Sequence, residues 1–189
     1  MSLTALGRRC PMTRLPLLCA LLLLPAQAVG VNQTPPELRG TSWLNTASPA
    51  TLSPDAAPLA SLRGRVVIVN FWVYSCINCH NSLPTLKGWY GRYRDQGLEI
   101  IGVHTPEFES DKPLANVRAS LKDDGVSWPV VQDNDSFNWR AWSNSSWPTF
   151  YLLDRRGRLR AVHVGEISSR FPHAIPGLEA TIQRLLVEK

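Results

Sequence analysis

Val66-Val67-Ile68-Val69-Asn70-Phe71-Trp72-Val73-Tyr74-Ser75-Cys76-Ile77-Asn78-Cys79-His80 is the stretch on which the fold turns. Its first eight residues are nearly all apolar and rich in β-branched side chains, as a central strand buried on both faces requires. Asn81 to Asp95 is helix-compatible, and Gly97 is placed to end a helix that begins near Cys79 and runs to about Gln96. Pro84 inside that pattern predicts a kink. Two thiols separated by two residues therefore stand at a strand-to-helix junction, where a thiol can act as a redox nucleophile.

Downstream, Leu98 to Val103 reads as a second buried strand. Asp111 to Asp124 has helical spacing (Leu114, Val117, Leu121), with Asp111 as a plausible N-cap. Val130-Val131 is a short strand and Phe137 to Trp142 a short helix. Pro148 to Leu153 and Leu159 to Val164 form a hairpin about the turn Asp154-Arg155-Arg156-Gly157. Pro176 to Lys189 closes the chain as an amphipathic helix carrying Leu178, Ile182, Leu185 and Leu186 on one face. The order β-α-β-α-β-α-β-β-α predicts an α/β domain with a mixed central sheet.

The beginning of the chain reads as a targeting segment. Arg8, Arg9 and Arg14 form a basic region, Leu15 to Leu24 an apolar run, and Ala26-Gln27-Ala28 a small-x-small cleavage pattern. The run is well short of the ~20 residues that span a bilayer, so a cleaved signal peptide over residues 1–28 is expected rather than an anchor. Met12 offers an alternative start. Taking the leader's three arginines from the 20 Lys plus Arg leaves 17 against 15 acids, a net charge of +2. That balance gives no case for nucleic-acid binding. Cys10 and Cys19 depart with the leader, which leaves Cys76 and Cys79 as one isolated pair. A loop this short removes little denatured-state entropy when it closes, so the pair is not a stabilising framework. Residues 29–58, rich in Pro, Ser, Thr and Ala, read as an extension or linker with one short strand near Trp43-Leu44.

Val69-Asn70-Phe71-Trp72, the Cys76/Cys79 pair, Pro84, and Trp147-Pro148-Thr149 before a strand and hairpin resemble the thioredoxin superfamily. The inserted helix near residues 111–124 is similar to the TlpA/ResA-like exported redoxins. Tyr74 to Cys79, Ile101 to Glu107 and Trp128 to Asn134 resemble the redoxin domain of DipZ-type proteins. The resemblance spans roughly Pro35 to Leu186 and implies a thioredoxin-like domain over residues 59–189, with 35 as an alternative start of the fold. It implies a thiol-disulfide oxidoreductase needing no cofactor, with Pro148 as a cis-proline facing the pair. The backbone of Trp147 would then receive an extended peptide as an added strand. Trp72 and Trp147 are expected to flank the site as an apolar landing for unfolded partners.

Cys76, the N-terminal and more exposed thiol, is the expected nucleophile, favoured as thiolate by the helix N-terminus. Cys79 is the expected resolving thiol. Neutral Ile77 and Asn78 add no charge, which predicts a moderately lowered Cys76 pKa. Two departures bear on proton transfer. Asn70 stands where classical thioredoxins carry a buried acid, and Ser82 where ResA-like reductases carry a Glu. Glu107 is the candidate in their place, with Glu99 and His104 behind it. The implied partners are thiols and disulfides of exported proteins and a membrane electron donor, in a periplasmic or secreted setting. The resemblance favours a reductant and points to cytochrome c maturation as its setting; oxidant and isomerase share the scaffold.

Three other readings compete. Cys76 to His80 also spells CxxCH, the attachment motif of c-type haem. Both methionines lie in the leader, however, so no Met is left as a second axial ligand, and the α/β context is foreign to small cytochromes. A structural zinc wants four ligands, whereas two cysteines and scattered His104, His163 and His173 are available; a copper(I) chaperone would need fewer. A redox fold that only binds a partner is the third.

Overall fold

The computed structural model describes residues 30–40, 42–46 and 58–188. The leader expected over residues 1–28, with Cys10 and Cys19, lies outside them. Six strands form one mixed sheet: β1 (Trp43–Leu44), β2 (Val66–Trp72), β3 (Leu98–His104), β4 (Val130–Gln132), β5 (Thr149–Leu153) and β6 (Leu159–Val164). Their spatial order is β1-β4-β3-β2-β5-β6. β2 pairs parallel with β3 and β3 with β4, while β5 runs antiparallel between β2 and β6. β2 and β3 are buried along their whole length, as continuous apolar runs demand of central strands.

Alternation along β2 divides the interior in two. Val66, Ile68 and Trp72 face α2 (Ile77–Tyr93), α3 (Leu114–Asp123) and α5 (Ile175–Val187), where Leu86, Trp89, Leu121, Ile182 and Leu185 complete a core. Val67, Val69 and Phe71 face the opposite layer, built by Leu59 and Leu62 at α1 (Pro58–Ser61) and by Trp142 just after α4 (Phe137–Ala141). Leu38 is buried in this second core, the Asn32 N–H donates to the Leu159 carbonyl while the Leu159 N–H donates to the Gln33 carbonyl, and Trp43 pairs with Val131 at the sheet edge. The Pro- and Ser-rich N-terminal composition thus hides residues that take part in the packing.

α2 begins at Ile77, two residues before the expected start, with Cys76 as its N-cap. It runs through the exposed Pro84 as one helix and ends in a short 3-10 turn closed by Gly97 at φ 106°, a left-handed geometry that glycine adopts freely. Asp111 does not cap α3. It ends a 3-10 turn, Glu109–Asp111, and Pro113 precedes the helix. No helix among the described residues is long and apolar enough to cross a membrane.

Candidate active site

The backbone leaves the C-terminal end of β2 through the turn at Val73–Cys76 and enters α2 directly. Cys76 N–H donates to the Val73 carbonyl (3.2 Å), and the Cys79 N–H donates to the Cys76 sulfur (3.3 Å). Both cysteines are free thiols; Cys76 is half-buried and Cys79 buried. The Cys79 thiol donates to the Cys76 sulfur and is the largest influence bringing its pKa down, from 9.0 to about 6. The backbone N–H groups of Cys79 and Asn78 act in the same direction, against desolvation. Burial pushes the Cys79 thiol far up, and its bond to Cys76 raises it further. The two thiols are thereby separated into a thiolate and a retained proton. The lowering exceeds the moderate shift expected from a helix terminus alone, because the second thiol supplies a direct hydrogen bond.

The Trp147–Pro148 peptide is cis. Asn70 occupies the buried position under this junction and donates to the Thr149 carbonyl (3.4 Å) as well as to Phe71 (3.2 Å). Trp147 is half-buried. Its indole N–H donates to the Thr105 carbonyl (3.1 Å), and its ring packs on Trp139 at 4.3 Å. Trp139 is set by Asp133, a buried carboxylate that accepts from the Trp139 and Asn138 N–H groups and from the Thr105 hydroxyl. Trp72 corrects the sequence reading. It is buried, edge-on to His104 and close over Gly102, where an added Cβ would meet its indole at 2.9 Å. It floors the site and offers no landing surface. The exposed apolar side chains on this side are Ile77 (69%) and Phe108 (56%).

Glu107 is exposed, and its charge reaches both sulfurs, raising both thiols. The segment that carries it is tied to the Cys76 turn by Asp111. This wholly buried carboxylate accepts from Ser75 Oγ (3.1 Å), Glu107 N (3.1 Å) and Phe108 N (2.9 Å). Tyr74 adds a second tie through its hydroxyl to the Ser110 carbonyl (2.6 Å). Glu99 is not near the dithiol. It pairs in register with Val67 at the far end of the strands, about 17 Å along β3 from His104, and accepts from the Tyr90 hydroxyl. His104 is closer, stacked on Tyr74, but neither ring nitrogen has a hydrogen-bond partner. Ser82, in the place of the ResA-like acid, is structural: it donates to the Asn78 carbonyl and accepts from Ile167 N–H. Both ring nitrogens of His80 are engaged, with Tyr74 O and Asp124, which leaves none to bind a haem iron. Among the described residues, no three His, Cys, Asp or Glu side chains gather as a metal site. Asp111 and His80 stood out in the sequence for other reasons, as a helix cap and as the end of CxxCH; their contacts with Ser75, Tyr74 and Asp124 follow from no sequence pattern.

A parallel strand running into a dithiol at a helix N-terminus, with a cis-proline directly before the adjoining strand β5, is the architecture of a thioredoxin-superfamily redoxin. The chain belongs to the AhpC/TSA family, whose model matches residues 47–162. Protein DipZ of Mycobacterium tuberculosis is 43% identical over 134 residues, covering 70% of this chain but 19% of its own length. The chain thus spans about a fifth of that relative. The thiol-disulfide oxidoreductase YkuV of Bacillus subtilis is 25% identical over 159 residues, 84% of this chain and 97% of its own. A thiol-disulfide isomerase from Corynebacterium glutamicum shares the fold at a TM-score of 0.67, with 21% identity over 84% of this chain and 99% of its own.

Proposed function

We propose that the chain reduces disulfides in exported proteins through Cys76 and Cys79. The observation that carries this reading is the division of labour between the sulfurs: a thiolate-favouring, half-exposed Cys76 receives hydrogen bonds from a buried, proton-retaining Cys79. Cys76 thiolate attacks one sulfur of the substrate disulfide; a mixed disulfide forms, and the other substrate sulfur leaves as thiolate and takes up a proton. Cys79 then loses its proton, attacks Cys76 Sγ and releases the second substrate thiolate, leaving a Cys76–Cys79 disulfide. Glu107 is the acceptor proposed for the Cys79 proton. Its neighbour Phe108, with Ile77 and Trp147, lines the approach, and the Trp147 backbone before Pro148 receives the substrate as an added strand.

Two electrons from a membrane donor restore the dithiol. A signal peptide over 1–28, export to the periplasm or beyond, a redoxin domain over 59–189 and a place in cytochrome c maturation complete the reading. The resemblance to ResA-like and DipZ-type redoxins supports these, and a disulfide-bonded CxxCH peptide is the substrate that tests the last. The deciding experiment is the Cys76–Cys79 reduction potential, measured alongside insulin or peptide disulfide reduction. A potential near or below thioredoxin's, about −270 mV, supports the reductant; a value near DsbA's, about −120 mV, overturns it. Cys76→Ser abolishes exchange, and full activity in that variant sinks the enzyme reading.

A further inference from the structure

We propose that His80 is a positioning residue: it braces the Cys76 turn, through its grip on the Tyr74 carbonyl and on Asp124, in the geometry that delivers hydrogen bonds to the Cys76 sulfur. The inference rests on Cys76 being the reactive thiol, and it gives a purpose to a residue that the haem-like spelling singled out and the exchange reaction leaves unused.

His80 Nε2 lies 2.5 Å from the Tyr74 carbonyl oxygen, and Nδ1 lies 3.2 Å from Asp124 Oδ1. A carbonyl can only accept, so Nε2 carries the proton and donates. A side chain in the first turn of α2 thus holds the backbone two residues before Cys76. It closes a ring that contains the whole dithiol motif. Inside that ring the His80 N–H donates to Cys76 O, and just outside it Val73 O accepts from the Cys76 N–H, each at 3.2 Å. The ring is shut at both ends, and the Cys79 N–H is left aimed at the Cys76 sulfur.

The outer end of the brace is itself anchored. Asp124 is the C-cap of α3; its Oδ2 accepts from Ser120 Oγ (3.0 Å), and its carbonyl accepts from Lys87 Nζ on α2 (2.9 Å). The other charged groups about His80 are Glu166 and Arg170, which line the same shallow cleft after β6. With one ring proton the Tyr74 bond is kept; with two, the ring donates to both acceptors. The grip on the turn therefore persists through either protonation state. The inserted α3, remote from the sulfurs in sequence, reaches the backbone of the dithiol turn through this imidazole, while Asn116 Nδ2 donates to the Tyr74 hydroxyl (3.3 Å).

The test reads the Cys76 thiolate by the pH dependence of its alkylation, with circular dichroism confirming the fold of each variant. His80→Leu is expected to raise the apparent Cys76 pKa by about one unit, a tenfold loss of thiolate on the acid side. Asp124→Ala, which touches neither cysteine, is expected to shift it in the same direction by less. His80→Gln keeps an amide donor for the Tyr74 carbonyl and is expected to restore most of the shift. Should His80→Leu fail to fold, Asp124→Ala and His80→Gln carry the test. A titration unchanged in His80→Leu or in Asp124→Ala overturns the brace, as does a Gln variant no better than Leu. Alkylation reads the sulfur whether or not the protein exchanges disulfides. Failure of the brace is therefore distinct from failure of the oxidoreductase reading, which Cys76→Ser decides.

Discussion

His104 is wholly buried between Trp72 and Tyr74, and desolvation takes its pKa from 6.5 down to about 4 against the opposing charge of Asp111. The sign of the consequence follows from proton counting. Between those values the unfolded chain binds a proton that the folded chain refuses. The contribution to stability is therefore complete above pH 6.5 and is lost as pH falls toward 4, by up to about 3 kcal/mol. Urea unfolding from pH 7.5 to 4 should show this slope in the wild type and lose most of it in His104→Leu. Equal slopes would mean that His104 is hydrated and titrates freely. At the dithiol, alkylation of Cys76 is expected to be half-maximal near pH 6. Cys79→Ser leaves an attacking thiol without a resolving one and should accumulate a mixed disulfide with a peptide substrate, visible by mass. Turnover should fall about 100-fold or more. If turnover survives, an external thiol is resolving the intermediate.

The loop between β3 and α3 owes its position to one buried carboxylate. Asp111→Ala strands the Ser75 hydroxyl and the Glu107 and Phe108 N–H groups, at an expected cost of about 1–3 kcal/mol. Amide hydrogen exchange at residues 105–112 should quicken well beyond that in the strands; uniform behaviour would show that the loop is held elsewhere. This loop also marks where the sequence stopped being legible. Strand and helix periods located the strands and the longer helices but not α1 (Pro58–Ser61), whose single turn has no period to read, and the motif order pointed to the dithiol and Pro148. Asp111 looked like a helix cap because its neighbours carried helical spacing. Besides the nearby Glu107 and Phe108 N–H groups it holds Ser75, 36 residues away, and no local pattern encodes a contact of that range. Trp72 failed for a related reason. Its position beside the motif suggested exposure, but the absent side chain at Gly102, on the next strand, lets the indole fold inward.

Across the whole molecule, the N-terminal segment carries part of the second core. A chain beginning at residue 47 would lose the buried Leu38, the β1 edge and the backbone bonds at Leu159. Burial of one leucine is worth about 2–3 kcal/mol, so Tm should fall by roughly 5–10 °C, while Cys76 keeps its thiolate titration, since the dithiol faces the other layer. An unchanged Tm would make the segment an appendage. The free state of Cys76 and Cys79, one accessible and one sealed in the core, has a use in bookkeeping of a different kind. Under native conditions a maleimide should mark one position quickly; under denaturation it counts every thiol on the polypeptide. A chain read from Met1 yields four labels, one read from Met12 yields three, and a chain cut after residue 28 yields two. The mass of the labelled protein from its natural host thus becomes a ruler for how the chain was started and trimmed.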